Sequence, residues 1–270
     1  MTTSSTIPSR PSVALVSGAA RGIGLATARR LAADGRPVVC LDVDAQSLRA
    51  VAHDAAHDGL VLVPRAVDVS DADAVEDVVA DVERDLGAVD RLVNAAGVIG
   101  VGRLLDARSD DVARLFSVNV LGVLNLTRSV GLRMAERGAG AVVTVSSNAA
   151  STPRLGIGAY GASKAAATML TRSLALELAA HGVRCNVVSP GSTDTDMLRA
   201  TFDDEQPIDE AFARVVRGSA ADYRLGIPLG RVADADDVAR SVEFLLSDAA
   251  RHVTMHDLRV DGGATLGAHA

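Results

Sequence analysis

Short valine-rich runs alternate with amphipathic helical segments along almost the whole chain, and this alternation limits the folds that are possible. The apolar runs lie at residues 13–17, 38–42, 60–68, 89–94, 141–147, 183–189 and, less clearly, 258–261. They are continuously apolar rather than alternating in polarity, which is typical of strands covered by helices on both faces. The pattern predicts a single α/β domain with a doubly wound parallel sheet of about seven strands.

The helical segments and the ends of the domain follow from the same pattern. Helices are expected at 23–33, near 45–57 and from Ser70 onward, where Ser70 would cap the helix while Asp71 and Asp73 favour its positive end. We expect residues 1–11 to form a disordered tail and residues 12–265 to form the domain. Between residues 192 and 228 the alternation of strands and helices is interrupted by a polar acidic stretch with no clear strand. Because this long insertion follows a strand end, it is predicted to be a substrate flap.

Composition excludes several classes of partner. The 270-residue chain has a net charge of -7 and is only 2% aromatic, whereas a nucleic-acid partner needs a concentrated basic face or stacking side chains. No apolar run approaches the roughly 18 residues that span a bilayer, and the N-terminus has no apolar signal segment. Cys40 and Cys185 lie in apolar runs and are expected to be core residues. We expect a cytoplasmic protein with no membrane partner.

A glycine-rich turn follows the first predicted strand. It contains Gly18, Arg21, Gly22, Ile23 and Gly24, with glycines in the spacing G-x-x-x-G-x-G. Glycines at such a turn let the backbone approach a pyrophosphate, which the N-terminus of the next helix stabilises. The alternative is an ordinary tight turn without a ligand.

The nature of the dinucleotide depends on two opposed charges. Asp42 ends the second strand, 18 residues beyond Gly24, where a carboxylate accepts hydrogen bonds from the adenosine ribose hydroxyls and repels a 2′-phosphate. Arg21 would favour that phosphate. Because Asp42 would face the 2′ position directly and Asp44 adds negative charge, the sequence predicts NAD.

Two further strand ends carry candidate cofactor contacts. Asp68, followed by Val69, ends the third strand and suits the adenine amino group, unless it is only a turn or cap residue. Asn94, Ala96 and Gly97 follow the fourth strand, where small residues let a cofactor lie against the strand end and Asn94 can bridge backbone groups. In isolation these residues would be only a turn signal.

The central constellation is Ser147, Tyr160 and Lys164. Lys164 is the only lysine among 27 basic residues, and it follows one of the two tyrosines by four positions. On a helix this spacing places both side chains on one face. An ammonium and a positive nicotinamide ring would favour the phenolate, which makes Tyr160 a usable general base, and Ser147 could hold the reacting oxygen. The alternative is an exposed helical pair in an arginine-rich chain.

These motifs, together with Asn119 in Ser-Val-Asn-Val and Pro190-Gly191, resemble the short-chain dehydrogenase/reductase family over about residues 12–265. The resemblance implies a Rossmann-like fold and a homotetramer. It also implies that Asn119 is a fourth catalytic residue, holding a water that relays protons from Lys164, and that Pro190, Gly191, Thr193 and Thr195 contact the nicotinamide half of the cofactor. Ser17 stands where the family usually has threonine, and it keeps the hydroxyl.

The C-terminal half resembles one subgroup more closely, through residues 185–197, 225–230 and 260–267. Members of that subgroup use NAD to oxidise 2,3-dihydro-2,3-dihydroxybenzoate to the catechol 2,3-dihydroxybenzoate, a siderophore precursor. The implied substrate is a carboxylated cyclic diol, so its pocket should contain a cation. Arg154 is the first candidate and Arg103 the second, unless they are solvated surface residues, and Met197 is a further substrate contact.

Three other functions are weighed against this one. A reductase of 3-oxoacyl thioesters or other ketones is disfavoured by Asp42, because biosynthetic reductases mostly use NADPH. A dehydrogenase of the amino analogue, a dihydro-hydroxyanthranilate, stays open. A non-catalytic dinucleotide sensor would usually lack the Tyr–Lys pair. No metal is expected, since His252 and His256 have no third ligand at metal spacing.

Overall fold

The computed structural model describes residues 12–202 and 206–266. Seven strands make one sheet: β1 Val13–Ser17, β2 Val38–Asp42, β3 Leu62–Ala66, β4 Val89–Asn94, β5 Gly140–Val145, β6 Val183–Pro190 and β7 Asp257–Val260. Their order is β3-β2-β1-β4-β5-β6-β7, and every pairing is parallel. The predicted Rossmann-like sheet, with helices on both faces, is confirmed.

The described residues also form nine α-helices. They are α1 Gly22–Ala32, α2 Ala45–His57, α3 Ala72–Asp85, α4 Ser109–Phe116, α5 Gly122–Arg137, α6 Gly158–Ala179, α7 Asp196–Arg199, α8 Ile208–Arg217 and α9 Ala235–Leu246. The prediction that Ser70 caps the third helix was wrong. Asp71 is the N-cap, since its carboxylate accepts hydrogen bonds from the Asp73 and Ala74 amides, while the Ser70 hydroxyl donates to Asp68.

Two hydrophobic cores lie on the two faces of the sheet. One contains residues of α1, α2 and α9, and the other contains residues of α3, α5 and α6. Neighbouring residues of a strand contribute to opposite cores, as Ala14 and Val16 do on one face and Val13 and Leu15 on the other. This is why the strands are apolar at every position, as parallel strands covered on both faces must be.

The segment 192–228, in which the sequence predicted a substrate flap, contains two helices, α7 and α8, among its described residues. Val215 and Ile227 pack with Ala264 in a small core of their own, so this segment is folded against the C-terminal end of the domain. Asp209 and Glu210, from the acidic stretch, are exposed. That the segment acts as a flap stays a prediction, and the predicted tail at 1–11 lies outside the described residues.

Two compositional predictions concern burial. The helical run Ser109–Arg137 contains a window with a mean hydropathy of 1.3, but half of that window is buried in the fold, as in a core helix of a globular protein. It is therefore weak evidence for a membrane span.

Cys40 and Cys185 are buried free thiols, and burial raises the pKa of each to about 12. They are core residues.

Candidate active site

A cavity of about 1870 Å³ opens at the carboxyl edge of the sheet, where the loops after β1, β4, β5 and β6 meet. This edge, at the point between β1 and β4 where the order of the strands reverses, is where ligands bind in doubly wound sheets. All of the predicted site residues line the cavity except Asn94 and Asn119, which lie behind it. The volume exceeds that of most sites for a single small molecule, so it can hold a dinucleotide and a second ligand.

The glycine-rich turn needs its glycines for conformation and for close approach. Gly18 and Gly22 have φ angles of +66° and +54°, which side chains rarely adopt. A Cβ at Gly18 would lie 2.7 Å from the Ala96 backbone, and a Cβ at Gly24 would lie 2.1 Å from the Gly18 carbonyl oxygen. The turn therefore packs directly on the loop after β4, and α1 begins at the cavity with its positive end exposed to a ligand.

Ser17 ties these two loops together. Its hydroxyl donates to the Val93 carbonyl at 3.3 Å and accepts from the amides of Ala95 and Ala96 at 3.1 and 3.2 Å. The serine hydroxyl makes these bonds in the place where the family usually has threonine.

Asp42, which favours NAD, and Arg21, which would favour NADP, have different hydrogen-bond partners. Each Asp42 oxygen accepts one backbone hydrogen bond, from Ala20 and from Asp44, which leaves acceptor capacity for ribose hydroxyls. The Arg21 guanidinium pairs with Asp44 at 3.0 Å. Asp44 is also the N-cap of α2, and hydrogen bonds from Ser47 are the main reason why the pKa of its carboxyl lies below the ordinary value.

The remaining predicted cofactor residues are fixed mostly by backbone geometry. Asp68 accepts hydrogen bonds from the amide and hydroxyl of Ser70, and the carbonyl of Val69 accepts from Asn125. Gly191 donates to the Val260 carbonyl at 3.0 Å, which holds the loop after β6 against β7. In that loop the Thr193 hydroxyl donates to Gly191.

The sequence predicted that Asn94 bridges backbone groups, but its side chain bonds to two hydroxyls instead. Its amide nitrogen donates to the hydroxyls of Thr127 on α5, at 2.9 Å, and of Thr144 on β5, at 3.3 Å. It is 2% exposed. Asn94 therefore supports the end of β4 from behind and does not reach the cavity.

Tyr160 and Lys164 lie one turn apart on α6, with the Lys164 Nζ atom 5.9 Å from the centroid of the tyrosine ring. Both are buried, and Nζ donates to the Val145 carbonyl at the end of β5 at 2.9 Å. Ser147 lies two residues beyond Val145, and its hydroxyl contacts the Tyr160 side chain and accepts from the Ala149 amide at 3.1 Å. The strand end and the helix thus bring the three predicted catalytic side chains to one point.

The protonation of this group without a cofactor differs from the sequence prediction. Burial raises the pKa of Tyr160 above its ordinary value, and the hydrogen bond with Ser147 opposes this. Burial also lowers the pKa of Lys164 to about 8. The expected phenolate is not favoured by these residues alone, because both charged forms lose hydration in the same pocket.

Asn119 lies in a π-helical turn, Ser117–Leu121, between α4 and α5. Its side chain accepts from the Val98 amide at 2.9 Å and donates to the Val98 carbonyl at 3.0 Å and the Ser163 hydroxyl at 2.9 Å. A Cβ on Gly97 would lie 3.2 Å from Lys164 Nζ and 3.3 Å from Asn119 Oδ1. Asn119 therefore fixes the loop after β4 next to the lysine, and Gly97 leaves this space open.

The two predicted substrate residues outside the catalytic group also line the cavity. Arg154 is half-buried in the loop between β5 and α6, and Met197 is 37% exposed on α7. Arg103 also lines the cavity, but it is largely exposed and pairs with Asp106 at 3.7 Å. Sequence reasoning missed Arg224, a second half-buried arginine in the cavity wall. It directly precedes residues 225–230, which carried the closer resemblance.

The two histidines considered for metal binding do not share a helix. His252 and His256 lie in the turn region between α9 and β7. Among residues 12–202 and 206–266, no group of three or more His, Cys, Asp or Glu side chains is placed to hold a metal ion.

Comparison with known proteins agrees with this geometry. The family model described as short chain dehydrogenase matches residues 12–206. The 2,3-dihydro-2,3-dihydroxybenzoate dehydrogenase of Bacillus subtilis (strain 168) is 44% identical over 255 residues, which cover 94% of this chain and 96% of the relative. The enzyme of the same name from Escherichia coli (strain K12) is 42% identical over 253 residues, covering 94% and 96%.

A solved structure gives the same result. A variant of actinorhodin polyketide ketoreductase with NADPH has a TM-score of 0.86 and 33% sequence identity, covering 94% of this chain and 97% of that one. The extent of these matches and the shared fold establish the family. The chain belongs to the short-chain dehydrogenase family of oxidoreductases, which use a nicotinamide cofactor.

Proposed function

We propose that this protein is an NAD-dependent dehydrogenase that oxidises 2,3-dihydro-2,3-dihydroxybenzoate to 2,3-dihydroxybenzoate. The observation that carries the proposal is the convergence of Ser147, Tyr160 and Lys164 in a cavity that Arg154 also lines. A general base in the same cavity as a half-buried cation suits an alcohol whose ring carries a carboxylate. The 42–44% identity to enzymes with that name supports the same substrate.

The cavity fits a dinucleotide in several respects. The left-handed glycines let the turn approach a pyrophosphate, and α1 directs its N-terminus to the same place. Gly97 leaves open the space beside Lys164, where a ribose would lie. These residues would hold the two phosphates and the nicotinamide ribose, while Asp68 and Val69 would contact the adenine and Thr193 and Thr195 the carboxamide or phosphates.

The choice of NAD over NADP rests on charge. Asp42 lies in the cavity wall with acceptor capacity left, and a 2′-phosphate there would face a carboxylate. Arg21, which could otherwise bind this phosphate, is paired with Asp44. The ketoreductase structure contains NADPH, so membership of the family does not decide the cofactor.

In the proposed reaction the substrate loses a hydride from a ring carbinol carbon and a proton from its hydroxyl. A nicotinamide cofactor held by the glycine-rich turn and Lys164 would supply the hydride acceptor. Tyr160 takes the hydroxyl proton as general base, and Ser147 holds the reacting oxygen beside it. Lys164, fixed by its bond to the Val145 carbonyl, supplies the positive charge that favours the phenolate.

Asn119 has a positioning role in this proposal. Its amide bonds to Val98 and Ser163 shape the pocket beside Lys164, from which a water would carry the proton to solvent. The oxidised ring then tautomerises: the adjacent carbon loses a proton, the new carbonyl oxygen gains one, and the ring becomes the aromatic catechol. Aromatisation makes the free energy of the overall reaction strongly favourable, which suits an enzyme that works in the oxidative direction.

Assembly and location complete the proposal. We infer a cytoplasmic homotetramer without a nucleic-acid or membrane partner. Leu132 on α5 and Met169 and Leu176 on α6 are each at least 59% exposed, although large apolar side chains favour burial. The resemblance implies subunit contacts through the helices around Asn119 and Tyr160, which α5 and α6 provide, and through the C-terminal segment 260–267.

The test is NADH formation by the purified protein with a panel of substrates. We expect rapid turnover of the dihydrodiol carboxylate, slow turnover of the dihydro-hydroxyanthranilate, and little reduction of 3-oxoacyl thioesters with NADPH. A preference for the thioesters would instead support the ketone reductase. Turnover of none of them, with intact NAD binding, would support a dinucleotide sensor.

Variants assign the chemistry to the site. Tyr160→Phe should abolish turnover while NAD binding, measured by calorimetry, stays nearly unchanged, because the phenol is needed for proton transfer. Lys164→Arg keeps the charge but spreads it over a wider planar group, so it should lose most of the activity. Near wild-type activity of Lys164→Arg would contradict the role given to the compact ammonium.

A further inference from the structure

Two arginines from separate parts of the chain line the cavity. Arg154 comes from the loop between β5 and α6, which also carries Ser147. Arg224 comes from the segment 192–228, which the sequence predicted to be a flap. Both are half-buried.

Neither guanidinium forms an ion pair with a carboxylate in the part of the chain that the structure describes. The Arg154 Nε atom is buried without a hydrogen-bond partner. Arg224 donates to the Ser192 hydroxyl at 2.9 Å, a neutral partner. Buried cations are normally paired, so this wall of the cavity carries positive charge that a ligand can neutralise.

The two charges act on each other. Loss of hydration lowers the pKa of Arg154 most, and the positive charge of Arg224 lowers it further. Asp261 attracts Arg154, but its carboxylate already accepts hydrogen bonds from Asn148, Gly263 and Thr265. An anion between the two arginines would relieve both the repulsion and the lost hydration.

Arg224 is held in place by a tight turn. The amide of Ser219 donates to the Arg224 carbonyl at 2.9 Å, and the amide of Arg224 donates back at 2.8 Å. Tyr223, the last residue of this turn, has a φ of 53°, a left-handed conformation that is costly for a tyrosine, and it is 92% exposed. Both residues line the cavity, but Tyr223 is largely exposed whereas Arg224, the next residue, is half-buried in the cavity wall.

We propose that Arg224 and Arg154 together form the subsite for the substrate's carboxylate, with one arginine from the body of the domain and one from the segment 192–228. The inference rests on the proposed function and adds Arg224 as a residue that determines specificity. Two guanidiniums offer enough donors to bind both carboxylate oxygens. Binding of the substrate would then connect the segment 192–228 to the loop that carries Ser147.

The test compares a charged with an uncharged substrate. The variants are Arg224→Met and Arg154→Met, with Arg217→Met as the control, because Arg217 is exposed on α8 and does not line the cavity. For the dihydrodiol carboxylate, KM should rise at least about tenfold in both cavity variants, as expected for a lost charge-assisted hydrogen bond. For the analogue with a carboxamide in place of the carboxylate, KM should match that of the wild type. Arg224→Lys should recover part of the loss.

A second readout does not need turnover. Calorimetry of benzoate binding to the NAD-saturated protein should show at least about tenfold weaker binding in the two cavity variants than in Arg217→Met. The two-arginine subsite is wrong if Arg224→Met raises KM equally for the carboxylate and the carboxamide substrates. It is also wrong if Arg224→Met binds benzoate as tightly as the control Arg217→Met does. If the wild type oxidises no diol, the proposed function fails, and the benzoate titrations alone decide this inference.

Discussion

The Arg21 guanidinium donates to the Asp44 carboxylate across 3.0 Å, so the cation of the glycine-rich turn is neutralised by the acid that caps α2. The neighbouring Asp42 carboxylate stays in the cavity wall with only backbone donors on it. This arrangement separates two charges that, in the sequence, favour opposite cofactors. It also makes their contributions testable one at a time.

The first prediction concerns Asp42. Asp42→Ala removes the carboxylate that would face a 2′-phosphate, so the ratio of kcat/KM for NAD⁺ to that for NADP⁺ should fall by about tenfold or more. Steady-state kinetics with both cofactors measures it. Asp54→Ala, an equal loss of charge at an exposed position on α2, should leave the ratio unchanged. Equal use of both cofactors by the wild type would overturn the ranking of Asp42 above Arg21.

The second prediction concerns Asp44. Asp44→Asn keeps a good N-cap for α2 but no longer neutralises Arg21, so turnover with NADP⁺ should rise severalfold while the melting temperature changes little. In the double variant with Arg21→Ala this gain should disappear. If Asp44→Asn leaves NADP⁺ turnover unchanged, the ion pair does not restrain Arg21.

The third prediction concerns Gly97. A Cβ there would lie 3.2 Å from Lys164 Nζ and 3.3 Å from Asn119 Oδ1, so one of these groups must shift. Gly97→Ala should lower kcat by about tenfold, because small displacements of catalytic groups are costly, while the protein stays folded. Gly158→Ala is the matched control, since its Cβ would meet Leu104 at an ordinary 3.4 Å. Equal kcat values in the two variants would refute this role for Gly97.

Much of the fold follows from local sequence signals. The valine-rich runs gave β1, β2 and β4 with their observed bounds, because continuous apolarity reports coverage on both faces of a strand. The end of a helix is less certain, as Ser70 and Asp71 illustrate. Both can cap, and the choice depended on the Asp68 carboxylate, which takes the serine hydroxyl.

The site was predictable where its residues are close in the sequence and share one helix or turn. It was less predictable where the residues come from distant elements. The spacing of Tyr160 and Lys164 determines a shared helical face, and the structure brings Ser147 to them. The partners of Asn94 could not be predicted, since Thr127 and Thr144 come from distant elements. Arg224 was missed for the same reason, because only the folded segment brings it to the cavity of Arg154.

The fourth prediction concerns assembly. Light scattering at micromolar concentration should give the mass of a tetramer for the wild type. Leu132→Glu combined with Leu176→Glu should reduce that mass, because both side chains are exposed apolar groups on α5 and α6. Leu105→Glu, at an 86% exposed position outside these helices, should not. A monomeric wild type would refute the tetramer.

The last prediction concerns the pH dependence of stability at Lys164. Burial lowers its pKa from 10.5 to about 8. Below pH 8 the folded and unfolded states both carry the proton, so the folded state bears the full penalty of the buried charge. Between pH 8 and 10.5 the folded state loses the proton while the unfolded state keeps it, so the contribution of Lys164 to stability rises with pH.

Lys164→Met removes both the penalty and this pH dependence. The pKa difference corresponds to a penalty of about 3 kcal/mol near neutral pH, and loss of the hydrogen bond to Val145 offsets about 1 kcal/mol of it. The inactive variant should therefore be more stable than the wild type at neutral pH, and this advantage should shrink as the pH rises from 8 to 10.5. Chemical denaturation of the cofactor-free proteins across this range measures it. A stability difference that stays constant from neutral pH to 10.5 would show that Lys164 does not titrate in this window, and the low pKa assigned to its buried ammonium would be wrong.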